Sequence, residues 1–208
     1  MTARTPRTQG RPSATDHGAI ERAAFALFDE HGFDETTMEQ IADAVGVGRR
    51  TLFRYFPSKN DIPWGRFDES LQFFRRQFAT VPPETPIADA VHGCVVAFNT
   101  FDDDVLDLHR FRMRLILTTP ALQAHSAIKY KAWRRVIQEY VAHRLSLPLD
   151  DRFPRLIGHV SLAISVAAYE QWLDEPVSSL TELLDQELTS LRTYLAHQHN
   201  GEETFPAP

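Results

Sequence analysis

Apolar positions along this chain recur at intervals of three and four, the spacing of one helical face, and no stretch alternates convincingly with the period of two that a strand requires. Ile20, Ala23, Ala24, Leu27 and Phe28 predict a first helix that starts after Thr15 or Asp16 and stops at Gly32. Thr36 followed by Glu39 has the spacing of a capping box, in which hydroxyl and carboxylate satisfy free backbone donors at a helix start. A short second helix is expected after it, with Met38, Ile41, Ala42 and Val45 on the buried side. Gly46, Val47 and Gly48 make a tight turn, and Leu52 and Phe56 anchor a third short helix that ends at Pro57. Ser58 and Asp61 repeat the cap spacing, and Trp64, Phe67, Leu71, Phe74 and Phe78 predict a long fourth helix disturbed only by Pro63. Breaks follow at Pro82 and Pro83, at 102–104, at Pro120, at 147–154 and at Pro176. A third cap pattern, Ser179 with Glu182, opens a last helix striped by Leu180, Leu184, Leu188, Leu191 and Leu195. The expected fold is all-α with about nine helices: a three-helix domain over 16–62 and a helical domain over 63–200, between a disordered basic arm (1–15) and a flexible tail (201–208).

Charge sharpens the picture. The 208 residues are 43% hydrophobic, enough for a real core, and the net charge of −6 excludes a protein that coats nucleic acid through bulk positive charge. Any nucleic-acid contact must come from local cations. Segment 46–60 supplies Arg49, Arg50, Arg54 and Lys59 with no acid, and the arm adds Arg4, Arg7 and Arg11. That arm reads equally as a solubilising tail or as a groove or phosphate contact. The lone Cys94 allows no internal disulfide, and with no apolar leader the expected compartment is a reducing cytoplasm. The most apolar stretch, 156–168, is interrupted by His159 and falls short of the roughly 20 residues that span a bilayer, so no membrane span is expected.

Two short helices joined by a glycine turn form a helix-turn-helix, whose second helix must present polar side chains to a major groove. With Leu52 and Phe56 inward, Arg49, Arg50, Phe53 and Arg54 project outward, and Thr51, Tyr55 and Lys59 lie within reach of flanking phosphates. The stretch TTMEQIADAVGVGRRTLFRYFPSKNDI (36–62) resembles the DNA-binding signature of the TetR family. That resemblance implies base or groove-wall contacts for Arg49, Arg50 and Phe53, and phosphate contacts for Thr37, Thr51, Tyr55 and Lys59. Two departures stand out: Gly48 where many members carry Ser, and Arg50 where many carry Gly, which weakens a cap and adds a cation suited to guanine. FRYFPSKNDIPWGRFD (53–68), with Pro63, Trp64 and Gly65 together, is similar to the regulator subgroup of the mycofactocin biosynthesis system. This implies control of those genes and a long-chain acyl-CoA as inducer.

The remaining helices are expected to sense a small molecule. Phe67, Leu71, Phe74, Phe98, Phe101, Phe111, Arg112, Met113, Arg114 and Trp133 are the candidate ligand-binding side chains, against the plainer reading that apolar residues at helical spacing are core. Phosphates of an acyl-CoA would call on Arg112, Arg114, Lys129, Lys131 or Arg134. Small residues and the leucine stripe, taken as Ala163, Ala167, Trp172, Leu184, Leu188, Leu191 and Leu195, suggest a face that packs against its own copy. Dimerisation also follows because one recognition helix reads too few base pairs, so a near-palindromic operator is expected. The fourth helix, from Lys59 to Phe78, is the expected lever between the domains, bending near Pro63. His92, His143, His159 and Cys94 lack metal-ligand spacing, no catalytic motif occurs, and no cofactor is expected. The expectation is a ligand-released repressor; an activator with the same motif, a drug-sensing regulator of an efflux pump, and a helical carrier or enzyme are the alternatives.

Overall fold

The computed structural model describes residues 16–175 and 177–197; the expectations for the basic arm, for Pro176 and for the tail lie outside them. The chain divides into two compact units after Gly65. Nine α-helices and two 3-10 turns, with no strand, make up the described residues.

The first unit holds α1 (His17–His31), α2 (Met38–Ala44), α3 (Arg49–Tyr55) and a 3-10 turn, Lys59–Trp64. Asp16 caps α1 by accepting from the Ala19 amide at 2.7 Å, and Gly32 ends it at φ 83°, a backbone state that suits glycine. The residue pair that starts α2 is displaced by one from the expected Thr36 and Glu39: the box is Thr37 with Gln40. Thr36 is buried instead, and its single hydroxyl proton is shared between the Gly32 and Leu27 carbonyls at 2.8 and 3.1 Å, locking the turn after α1. Ile20, Phe28, Ile41, Leu52, Phe56 and Ile62 form the core.

The expected long fourth helix is broken. Ser58 gives its hydroxyl proton to Asp61 and leaves the backbone uncapped, and Pro63, which has no amide proton, sits inside a 3-10 turn. Gly65 then leaves the helical backbone at φ 51° and ψ −128°, so the α-helix starts only at Phe67. A single rigid lever from Lys59 to Phe78 is therefore absent.

The second unit comprises α4 (Phe67–Ala79), α5 (Ile87–Phe98), α6 (Leu106–Thr118, entered through a 3-10 turn), α7 (Pro120–Leu145), α8 (Arg152–Asp174) and α9 (Leu180–His197). At 26 residues α7 runs about 39 Å and is the spine on which α4, α5, α6 and α8 pack. Pro120 occupies its first turn, where a missing amide costs nothing. Phe74 stacks on Trp133 (ring centroids 5.3 Å apart) and Phe78 on Tyr140 (4.5 Å), tying α4 to α7. His92 to Asp185 (2.7 Å) and Arg192 to Asp89 (2.8 Å) tie α5 to α9.

The leucine stripe has a different partner from the one expected. Trp172, Leu184 and Leu188 are buried with Leu180 and Leu183 in the unit's own core, because α9 turns its apolar face onto α8 and α5. They are removed from the candidate dimer face, Leu191 is half-buried, and Ala163, Ala167 and Leu195 remain exposed.

Candidate nucleic-acid interface

The recognition surface follows from what α3 buries. Leu52 is fully enclosed and Phe56, the residue that closes the helix, is 2% exposed, which leaves the opposite side of a seven-residue helix to solvent. Arg49, Arg50, Phe53 and Arg54 stand there, with Thr51 and Tyr55 half-buried at the flanks. Thr37 is exposed at the head of α2, where its oxygen accepts from the Gln40 amide at 3.2 Å.

These cations differ in readiness. Arg49 is held by Glu39 at 2.6 Å and lies over the Phe53 ring at 5.4 Å. Both members of that ion pair are more than half exposed, so it contributes at most about 1 kcal/mol. Arg54 lies over the Tyr55 ring, which the edge of His17 meets at 4.9 Å. Arg50 has no side-chain partner among the described residues and extends freely. Glu39 and His17 are the contributors that sequence reasoning missed; both come from other helices, and no spacing within α3 announces them.

Lys59 corrects an expectation. Its ammonium donates to the carbonyls of Phe33 (2.6 Å), Asp34 (3.0 Å) and Thr36 (2.8 Å), which uses all three of its protons, and lies 4.5 Å from the Phe33 ring centroid. Burial lowers its pKa, opposed by the charges of Asp34 and Glu35. It clamps the α1–α2 turn and has no donor left for DNA phosphate.

In the second unit, the candidate ligand side chains divide. Leu71, Phe74 and Trp133 fill the core, Phe67, Phe98, Phe101 and Met113 pack half-buried against it, Phe111 and Arg112 are half-buried, and Arg114 is exposed. Beside them lies a polar chain that sequence spacing did not bring together. Asn99 donates to the Val95 carbonyl (2.8 Å) and accepts from the Tyr169 hydroxyl (2.8 Å), whose oxygen is 2.9 Å from His109 Nε2. Tyr169 has one proton and gives it to Asn99, so Nε2 of His109 must carry the proton and donate. Burial, then the charge of Arg112, pushes His109 down to about 3, and burial raises the Tyr169 phenol. Both are neutral at physiological pH. Phe101 covers the imidazole at 3.9 Å, while Arg110 lies over the Trp172 ring and donates to the Trp172 carbonyl.

Among the described residues no His, Cys, Asp or Glu cluster suits a metal, and no helix is long and apolar enough to cross a membrane.

Comparison with known proteins agrees with this geometry. Residues 20–62 match the model for bacterial regulatory proteins of the tetR family, and 85–196 match the MftR C-terminal domain. A Mycobacterium tuberculosis protein provisionally named mycofactocin biosynthesis transcriptional regulator MftR is 41% identical, over 84% of this chain and 88% of its own. The HTH-type transcriptional regulator TcmR of Streptomyces glaucescens is 31% identical over 84% and 81%. Among solved structures, Thermus thermophilus FadR, a repressor bound to lauroyl-CoA, shares the fold at TM-score 0.54 and 20% identity, covering 93% of this chain and 99% of its own.

Proposed function

The chain belongs to the TetR family of DNA-binding transcription regulators and carries a C-terminal domain of the MftR type; from that premise we propose a dimeric repressor that a small molecule releases from a near-palindromic operator. The observation that carries this reading is α3, anchored by Leu52 and Phe56 beneath and presenting Arg49, Arg50, Phe53 and Arg54 on its free side. Two such helices in a dimer enter successive major grooves about 34–36 Å apart. Arg50 reads a base, guanine being the match for a guanidinium fork, while Thr37, Thr51, Tyr55 and Arg54 set the register on phosphates. The exposed Ala163, Ala167 and Leu195 belong to the dimer face.

The likeness to the mycobacterial regulator supports control of mycofactocin biosynthesis genes. The lauroyl-CoA of the Thermus repressor supports a long-chain acyl-CoA as the inducer, sensed by the half-buried Phe67, Phe98, Phe101, Phe111, Arg112 and Met113. Only a difference in the ligand's affinity for the DNA-binding and released states moves that equilibrium.

Fluorescence anisotropy with the promoter upstream of the chain's own gene tests the reading. Arg50→Ala should cost about 1–3 kcal/mol on the preferred sequence and relax its base preference. Palmitoyl-CoA should release the DNA, and deletion of the gene should raise transcription of its targets. Equal affinity of the wild type for operator and random DNA, or falling transcription on deletion, would reject the repressor.

A further inference from the structure

Acidic side chains outnumber basic ones in this chain, 28 to 22, yet one groove of the C-terminal unit reverses the balance. It lies between α7 and α8, has a volume of about 520 Å³, and is lined by Lys131, Arg134, Arg135, Arg155 and His159 against a single carboxylate, Asp150. That volume falls within the roughly 300–1,000 Å³ typical of small-molecule sites.

Close packing of the two helices builds the groove. A Cβ at Gly158 would stand 3.1 Å from the Arg134 carbonyl oxygen and 3.2 Å from Gln138 Cγ, so α8 approaches α7 at nearly backbone contact. Lys131, Arg134 and Arg135 are spaced to share one side of α7, and Arg155 and His159 lie one turn apart on α8. Only Arg135 is neutralised, by Glu139 at 3.3 Å and weakly by Asp150 at 3.8 Å, the latter side chain 94% exposed. Among the described residues, Lys131, Arg134 and Arg155 have no acidic partner. Unpaired cations gathered in one concavity repel each other, and an anion relieves that repulsion.

From this geometry we infer that the groove binds an organic diphosphate. Arg134 and Arg155 face it from opposite helices with planar forks that match phosphate oxygens in pairs, and Lys131 adds a point charge. Ile128, 68% exposed at the edge, offers an apolar rest for the remainder of the ester. Diphosphate occurs both in free nucleotides and in coenzyme A, so the site does not depend on the inducer being an acyl thioester.

Isothermal titration of the full-length protein with pyrophosphate, ADP and coenzyme A at fixed ionic strength tests the site. Arg134→Ala with Arg155→Ala should weaken binding at least tenfold, and Asp150→Asn, which removes the competing carboxylate, should tighten it. Arg76→Ala with Arg152→Ala, an equal charge loss outside the groove, should leave it unchanged. Unaltered affinity in the first double variant, or equal loss in the second, overturns the inference. So does a loss of operator affinity in the first double variant with coenzyme A binding intact, which would give the groove to DNA. ADP binding as tightly as coenzyme A marks a nucleotide as the source, and coenzyme A alone marks the thioester carrier. Failure of palmitoyl-CoA to release DNA while the groove variants still lose coenzyme A rejects the inducer and keeps the site. Equal release from wild type and double variant rejects the site as part of the inducer response and keeps the inducer.

Discussion

His109 gives the protein an acid-sensitive interior. Its ordinary value of 6.5 falls to about 3 in the folded chain, from burial first and the Arg112 charge second. Below pH 6.5 the unfolded chain takes up a proton that the folded chain refuses, so stability is complete above that pH and is lost progressively down to about pH 3. Between pH 7 and pH 5 the unfolded imidazole gains about 1.4 pH units' worth of protonation free energy, or about 2 kcal/mol. Urea denaturation at both pH values isolates the effect when wild type is compared with His109→Gln, whose amide can still donate to Tyr169. The wild type should lose about 2 kcal/mol more than the variant over that interval. Parallel losses in the two proteins would refute the reasoning, as would an NMR titration in which this imidazole protonates near pH 6.5.

Lys59→Met should lower the thermal midpoint of the DNA-binding unit and weaken binding to every DNA sequence while the salt slope stays constant; a slope reduced by about one would restore a phosphate contact. Thr36→Val removes the bond from the buried hydroxyl to the Gly32 and Leu27 carbonyls and should cost about 1 kcal/mol, measured by urea denaturation, and no loss would contradict the lock described for that turn. Burial raises the Cys94 thiol to about 11, so iodoacetamide at pH 8 should label it only after denaturation, and rapid labelling of the native protein would show that it is open to solvent.

The helix-turn-helix was legible because its signals are local: Asp16 and Gly32 bound α1, the glycine turn separates α2 from α3, and Leu52 with Phe56 fixes which side of α3 is free. The one-residue error at α2 arose because adjacent threonines each stand three residues before a competent acceptor, and only the carbonyls of α1 decide which one turns inward. Periodicity ran unbroken through Gly65, since spacing records which side of a segment is apolar and carries no information about φ. It likewise showed that α9 buries a face without saying against what, and the nearest cover was α8 and α5. The Asn99, Tyr169 and His109 chain joins residues as far as 70 positions apart, beyond any local pattern. Lys59 was misread because a cation near a recognition helix looks the same in sequence whether its donors face solvent or three carbonyls.

The paired rings of α4 and α7 restrict how the C-terminal unit can transmit a signal. Phe74 on Trp133 and Phe78 on Tyr140 act as two rungs of a ladder, spaced four residues apart on one rail and seven on the other. Sliding either helix along the other by a single residue would unseat both rungs at once. The two helices therefore travel as a coupled pair, and a molecule that shifts α7 drags α4 with it instead of deforming it.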